Sequence, residues 1–464
     1  MNGDVSSTVD NVAVSVVAIC ASTGNVHILN AIEQFQTSKS DSSDAGTFSF
    51  SGPLTEPSNL AYLQESGPMD VIAIYADRAT SDDLASIPEN VGPLVALPAS
   101  GAWGSPGAGT TKMLQSPTLV FLGVIDDLGE SYTLSESSSS TLSPRGRDFT
   151  KFLIVNDVLM PYDQASVAAL LTRAVAITPG TSISALMYRV LDVFVAKHGV
   201  SSVGGTVAVA SALAFPWRNF ISTAVQDAKP IYLPFSGTDL IFPSYQVQSG
   251  SVWANLITLK NEPLSRLFIT EDGEFLVDDA LAALITQSPI PFVITSDEFV
   301  ENASFSRDDS SVATFISIIG AQMAGGSTGQ YGDYDIMTPG SRFVSSGGGV
   351  PSYTPDETVQ RFGVRAAEFT AVFYTLLGKS GSVDTPLRQK LYQLIQLLHN
   401  QLDVLTLTVK GRPVYRVGTR VQVKIGFARQ AVSFATWYIC NVSHSWSFGS
   451  GWTTVLTLRM PQAK

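Results

Sequence analysis

Between Leu402 and Met460 apolar and polar residues alternate so regularly that strands are the natural reading. Leu405, Leu407 and Val409 interleave with Thr406, Thr408 and Lys410, and Gly411 and Pro413 end the run. The next segment puts Val417, Val421, Val423 and Ile425 on one face and Arg416, Arg420, Gln422 and Lys424 on the other. One side then packs while the other meets solvent or a partner. From Tyr438 the alternation passes through Val442, His444, Trp446 and Phe448 to a hairpin turn at Gly449-Ser450-Gly451, and Trp452, Thr454, Leu456, Leu458 and Met460 carry the return strand. The stretch predicts most of a small antiparallel barrel, with Trp446 and Trp452 in a barrel core.

The N-terminal part reads the same way. Val12–Ala21 and Val26–Ile32 flank the turn Thr23-Gly24-Asn25, and Thr47–Ser51, Val71–Tyr75, Thr118–Ile125, Tyr132–Leu134 and Thr141–Ser143 follow as short strands. Gly, Pro and Ala are dense between Ser86 and Pro117, which marks an inserted loop. Asp41, Ser43, Thr47 and Phe48 return at a constant offset as Asp308, Ser310, Thr314 and Phe315. Val71–Tyr75 corresponds to Arg420–Ile425, and the strand entered at Val124 to the one through Val442 and Trp446. These matches imply a divergent duplication of one barrel, its second copy split by an insert.

The expected fold class is mainly β with α/β parts: two similar antiparallel β-barrels per chain joined by a mixed α/β region. Residues 1–148 form the first tube-like barrel with the 86–117 loop inserted, 149–289 the connecting region, 290–320 with 401–464 the second barrel, and 321–400 a Gly-rich and helical insert. In the connection, Ala165–Ala176 and a run from the capping Ser182 to Gly199 predict helices. Val252–Leu259 and Leu267–Val277 predict strands, the second turning at Glu271-Asp272-Gly273. The insert holds glycine-rich segments at 325–332 and 345–349 and ends in a helix opened by Pro386, with Leu387, Leu391, Leu394, Ile395, Leu398 and Leu402 on one stripe.

Composition narrows the function. The 464 residues carry a net charge of −12 but are only 15% charged, so the surface relies on Ser, Thr, Asn and Gly. That balance argues against a general nucleic-acid binder. No apolar run reaches the ~18 residues of a membrane span, and Asp4 and Asp10 stand where a secretory signal would be basic, which points to synthesis in a cytoplasm. Cys20 and Cys440, each in an apolar run, read as buried free thiols. His27, His198, His399 and His444 show no ligand spacing, so neither a metal nor a cofactor is expected.

Catalytic motifs fare no better. Gly325-Gly326-Ser327-Thr328-Gly329 matches the letters of a nucleophile elbow, but loop continues where the helix should start. Leu377-Gly378-Lys379-Ser380 lacks the earlier glycine of a phosphate loop. The acid pairs Asp278-Asp279 and Asp308-Asp309 read as solvated turns, and no enzyme is nominated.

Arg145, Arg147 and Lys151 gather in an otherwise acidic chain, in a pattern suited to carboxylates at a domain or subunit contact. Their segment, with its Gly146-Arg147-Asp148-Phe149-Thr150 core, is the first of three that occur in order. The second is Asn261–Val277, and the third is Gly411–Leu458 with Gly411-Arg412-Pro413, Val417-Gly418 and Val442–Gly449. Together they resemble the baseplate hub proteins of contractile-tailed phages, a family related to the phage late-control tail proteins and to the hub part of type VI secretion spikes.

The resemblance implies a homotrimer whose three chains, two barrels each, make a pseudo-sixfold ring that adapts the sixfold tail tube to the threefold central spike. It implies a place in the virion's tail baseplate. The implied partners are the spike protein, the tail tube or tube-initiator protein, the tape-measure protein and the baseplate wedge. The genome would pass through the channel without specific nucleic-acid binding, helped by an acidic wall. Arg412, Arg416 and Arg420 join Arg145, Arg147 and Lys151 as expected interface residues. Two other classes stay open: a tail-associated carbohydrate-binding adhesin, which needs exposed aromatics, and a cell-wall hydrolase, which needs an acid and base in a groove. Neither accounts for the duplication.

Overall fold

The structure is a computed structural model and describes residues 12–23, 25–29, 31–42, 45–78, 118–133, 139–155, 157–158, 181–182, 241–242, 250–259, 265–271, 275–279, 292–307, 315–320, 335–337, 357–371, 403–424 and 436–459. The helices expected at 165–176, 183–199 and 386–402, the 86–117 loop and the Gly-rich segments 325–332 and 345–349 lie outside these residues.

The first unit comprises β1 (Val12–Ile19), β2 (Val26–Leu29), β3 (Gln34–Ser40), β4 (Thr47–Pro53), α1 (Pro57–Glu65), β5 (Val71–Arg78), β6 (Leu119–Thr133) and β7 (Ser139–Arg147). Its strands lie in the order β3-β4-β7-β6-β5-β1-β2, every neighbouring pair antiparallel. Alternation sends Phe35, Phe48, Ile72 and Phe121 inward, where Tyr62 of α1 joins them. Each such side chain contributes about 1.5–3 kcal/mol.

After α2 (Thr150–Val155) come four two-residue strands, β8 (Asp157–Val158), β9 (Thr181–Ser182), β10 (Ile241–Phe242) and β11 (Gly250–Ser251). Then follow α3 (Val252–Leu259), β12 (Ser265–Ile269) and β13 (Phe275–Asp279). The last two form the expected hairpin, with Ile269 opposite Phe275. Val252–Leu259, expected as a strand, is a helix. Ser251 caps it, its Oγ accepting from the Ala254 N–H at 3.1 Å. Val252, Trp253 and Leu256 form a buried face at helical spacing, and α3 packs against α2.

The remaining elements are β14 (Phe292–Thr295), β15 (Phe299–Arg307), β16 (Phe315–Gly320), β17 (Asp335–Met337), α4 (Glu357–Phe362), β18 (Ala366–Ala371), β19 (Asp403–Lys410), β20 (Arg420–Lys424), β21 (Thr436–Ser447) and β22 (Gly451–Arg459). Six of them make the second unit, in the order β15-β19-β22-β21-β20-β14, with β14 parallel to β20 and the other pairs antiparallel. Phe315–Gly320, which the sequence reading assigns to the second barrel, instead pairs with β17 and β18 in a separate three-stranded sheet. The strand that follows β15 in the second unit is β19.

Five strands of each unit therefore share one topology. In chain order β3, β4, β5, β6, β7 and β15, β19, β20, β21, β22 lie side by side as first, second, fifth, fourth, third. The irregularities match too. The β6–β7 register shifts between Ile125 and Asp127, and the β21–β22 register between Ile439 and Asn441. In each case the extra residue comes two residues after one paired with an arginine, Val124 with Arg147 and Tyr438 with Arg459. Asp126 and Cys440 thus occupy one position in two copies of a strand frame.

The units are not separate sheets. β21 pairs antiparallel with β3, from Asn441 opposite Ser40 to Ser447 opposite Gln34, and the junction yields one 13-stranded sheet. Trp446 and Trp452 are buried as expected, but in the core of the first unit. Trp446 stacks on Phe35 at 5.9 Å and Trp452 meets the same ring edge-on at 6.3 Å. Gly411 makes room for this arrangement, since a Cβ there would stand 2.1 Å from the Trp452 ring. Gly411→Ala is expected to lower stability by about 1–3 kcal/mol, read as a fall in the denaturant midpoint at unchanged m-value.

Candidate assembly interface

The seam between the units has two unlike faces. On one, Val442, His444 and Trp446 of β21 lie opposite Lys39, Thr37 and Phe35 of β3, and all six are buried. On the other, Ser443, Ser445 and Ser447 lie opposite Ser38, Gln36 and Gln34. The polar row continues through Ser49 of β4 to Arg145 of β7, and it floors a groove of about 250 Å³. Hydroxyls and amides suit this face because they satisfy themselves with water or with a partner.

Two strand edges matter beside the seam. β15 pairs with β19 on one side, and among the described residues no strand covers its other side. β6 pairs with β5 only from Leu119 to Val124, so beyond its bulge the edge opposite β7 has no described partner strand. Such edges present backbone donors and acceptors that a further strand can take.

The expected cations fall at several places. Arg147 grips Asp126 through two contacts, Nε to Oδ2 at 2.6 Å and Nη2 to Oδ1 at 3.1 Å. Lys151, buried on α2, donates to the Ile125 carbonyl at 2.6 Å and pairs with Asp126 Oδ1 at 2.6 Å. Burial alone would raise the Asp126 carboxyl, but hydrogen bonds from Arg147 and Lys151 outweigh it and hold the group below its ordinary value. These two cations tie β6, β7 and α2 together inside one chain. Arg145 is exposed on the polar face. Arg412 pairs with Glu298 at 2.5 Å, while Arg416 and Arg420 lie half-buried at and before β20, away from the Asp126 cluster.

A second ionic cluster is invisible in the sequence. Lys39 of β3 pairs with Asp148, both buried. Asp148 also accepts from the Gly46 N–H at 2.7 Å and, as the cap of α2, from the Thr150 N–H at 2.9 Å. Near Lys39 lies Glu271, fully buried at the turn after β12, whose Oε1 accepts from the Val417 N–H at 2.9 Å. Burial pushes the Glu271 carboxyl up, and the Lys39 charge and the Val417 N–H only partly oppose it. Strand β3, the connecting hairpin and the 411–419 loop thus meet around one lysine. His444 completes the buried face of the seam, its Nδ1 2.8 Å from Thr454 Oγ1. Burial drives its pKa down to about 3, so the ring is neutral at ordinary pH.

No protein-family model matches the sequence, and no curated protein matches it. Solved structures do. A tail protein from Neisseria meningitidis MC58 superposes with a TM-score of 0.50 at 13% identity, over 96% of this chain and 96% of that one. The 43 kDa tail protein of prophage MuSo2 from Shewanella oneidensis gives 0.51 at 12% identity, over 97% and 99%. A type VI secretion system component from E. coli, described as similar to bacteriophage T4 tail proteins, matches over 94% of this chain and 74% of its own, at 11% identity and a TM-score of 0.40. The fold is that of the phage tail proteins, mainly antiparallel β with a few helices. At these identities the likeness establishes the fold, and the role must be argued from the chain itself.

Proposed function

We propose that the chain is a structural baseplate hub of a contractile phage tail. Three copies close a ring of six similar units that joins the sixfold tube to the threefold spike. The observation that carries this reading is the seam. A single chain already joins one copy of the strand frame to the other through β21 and β3, and among the described residues the corresponding edges of the equivalent strands, β6 and β15, carry no partner strand.

The matching bulges make Asp127 equivalent to Asn441, and hence Ser131 to Ser445. Arg147 and Arg459 face Thr47 and Val404, whose partners are Ser38 and Ser306, so Ser304 is equivalent to Gln36. The joint between chains then repeats the joint within one: Gly129 opposite Ser306, Ser131 opposite Ser304 and Thr133 opposite Asn302. These pairs are as small and polar as Ser443–Ser38, Ser445–Gln36 and Ser447–Gln34. With one seam inside each chain and one between chains, three chains close six units into a ring that covers both the β6 and the β15 edges. On this reading the Ser- and Gln-rich face lines the channel as a largely neutral wall. The spike protein, the tube or tube-initiator protein, the tape-measure protein and the baseplate wedge are the partners, and the role is not enzymatic. Among the described residues Trp253, Trp437, Trp446 and Trp452 are all buried, which leaves the adhesin reading without exposed rings on these four.

Residues directly opposite across antiparallel strands hold their Cβ atoms about 4.5–5.5 Å apart. A chain carrying both Ser131→Cys and Ser304→Cys, treated with a short bis-maleimide, is therefore expected to give covalent dimers and trimers, while each single variant gives neither. Light scattering of the untreated protein should read three times the 49.4 kDa chain mass. A monomer at every concentration would defeat the ring, and a trimer that fails to cross-link would defeat this register.

A further inference from the structure

Cys20, His27 and Glu65 are distant in sequence from any metal motif, yet the fold brings them together at one end of the first unit. Cys20 directly follows β1, and its N–H donates to the Asn25 carbonyl to close the turn into β2. His27 lies on β2 opposite Ala18, two residues before Cys20, and Ile19 pairs with Val26. Glu65 ends α1, which packs on β2. The thiol sulfur, the imidazole nitrogen and a carboxylate oxygen lie within 4.8 Å of one another.

The donor types are those of zinc, which accepts thiolate, imidazole and carboxylate in one tetrahedral shell. The spacing of the His27 and Glu65 donors fits as well. His27 Nε2 and Glu65 Oε2 stand 3.3 Å apart. That is about the edge of a tetrahedron whose centre is about 2.0–2.1 Å from each ligand atom. The surrounding groups hold the carboxylate in place: Asn25 Nδ2 donates to Glu65 Oε2 at 2.7 Å, and Thr23 Oγ1 lies 3.3 Å from the same oxygen. Outer contacts of this kind fix ligand orientation in metal sites. Cys20 is buried, whereas the His27 and Glu65 side chains are 15% and 35% exposed, so the cluster is partly open to solvent.

We infer that Cys20, His27 and Glu65 form a binding site for a divalent cation of the zinc type, with water as fourth ligand. The ion would clamp the β1–β2 turn to the end of α1. It would add nothing to the β6 and β15 edges, so the site stands or falls independently of the ring.

Cobalt(II), added to the full-length protein under reducing conditions, is the test. Thiolate ligation should produce a near-ultraviolet charge-transfer band that saturates at one cobalt per chain and disappears when zinc is added. Cys440→Ala should leave the band unchanged and Cys20→Ala should abolish it. Loss of an outer-shell partner alone typically weakens metal affinity by about 10- to 100-fold, so His27→Gln, which removes a ligand, should weaken cobalt binding by about 100-fold or more. Far-ultraviolet circular dichroism checks that each variant folds, and the partly exposed His27 supplies the answer if the Cys20 variant does not. A wild-type protein without the band overturns the site, as does a band that survives in Cys20→Ala or an affinity that His27→Gln leaves intact.

Discussion

Replacing Asp148 with alanine is expected to destabilise the chain by about 3–5 kcal/mol, the cost of stranding a buried charge. The substitution removes three interactions at once. Lys39 loses its carboxylate while remaining buried, the Gly46 N–H loses its acceptor, and α2 loses its cap. The charge should dominate, because a missing cap costs about 1 kcal/mol. Two further variants separate the terms. Asp148→Asn removes the charge and keeps an acceptor for only one of the two backbone groups, because Gly46 and Thr150 donate to different carboxylate oxygens, and it should lose nearly as much as alanine. Lys39→Met placed in the Asp148→Ala chain should recover a large part of the loss by removing the stranded ammonium. Chemical unfolding followed by Trp fluorescence reads all four proteins. A fall below about 1 kcal/mol for Asp148→Ala would mean that water reaches Lys39 and the cluster is not a buried one.

Acid should open the seam by a different route. His444 is held neutral, its pKa driven from 6.5 to about 3 by burial. The unfolded chain takes up a proton near pH 6.5, whereas the folded chain resists until about pH 3. Stability from this group is therefore complete above the unfolded pKa and is lost progressively as pH falls through that window. At 1.36 kcal/mol per unit, the loss amounts to roughly 3–5 kcal/mol. His444→Asn does not titrate and keeps a polar atom near Thr454. The stability gap between wild type and this variant should therefore shrink or reverse between neutral pH and about pH 3. Carboxylates titrate in both proteins, so only the difference matters. Two parallel stability curves would show that His444 is solvated in the native state.

The strand alternation makes the β19 to β22 strands legible, and the same period exposes the correspondence of Val71–Tyr75 with Arg420–Ile425, two runs that mark the equivalent strands β5 and β20. Both are local patterns. The offset from Asp41 to Asp308 also marked the right loop, since each residue directly follows its equivalent strand, β3 or β15. It failed one strand later, because Phe315–Gly320 has the alternation of β4 but pairs elsewhere. Periodicity states that a face is buried and not what buries it. For the same reason Trp446 and Trp452 could be read as buried, while their membership of the first unit's core depends on β21 pairing with β3 across some 400 residues. Val252–Leu259 reads as a strand in the sequence because its apolar run obscures the capping signal of Ser251. The ion pair of Lys39 with Asp148 and the hydrogen bond from the Val417 N–H to Glu271 span 109 and 146 residues, and no spacing rule reaches that far.

At the shared bulge the two copies keep one backbone and carry opposite chemistry. Asp126 draws in Arg147 and Lys151, whereas Cys440 merely offers its thiol to the Thr457 carbonyl at 3.1 Å. Around a three-chain ring these six positions would alternate, charged then neutral, three times. A cylinder that recognises only the strand frame could settle in any of six orientations. A spike that senses the charge could settle in three. Divergence at a single kinked residue would then work like a notch on a dial, letting one partner ignore the difference between the copies and the other lock onto it.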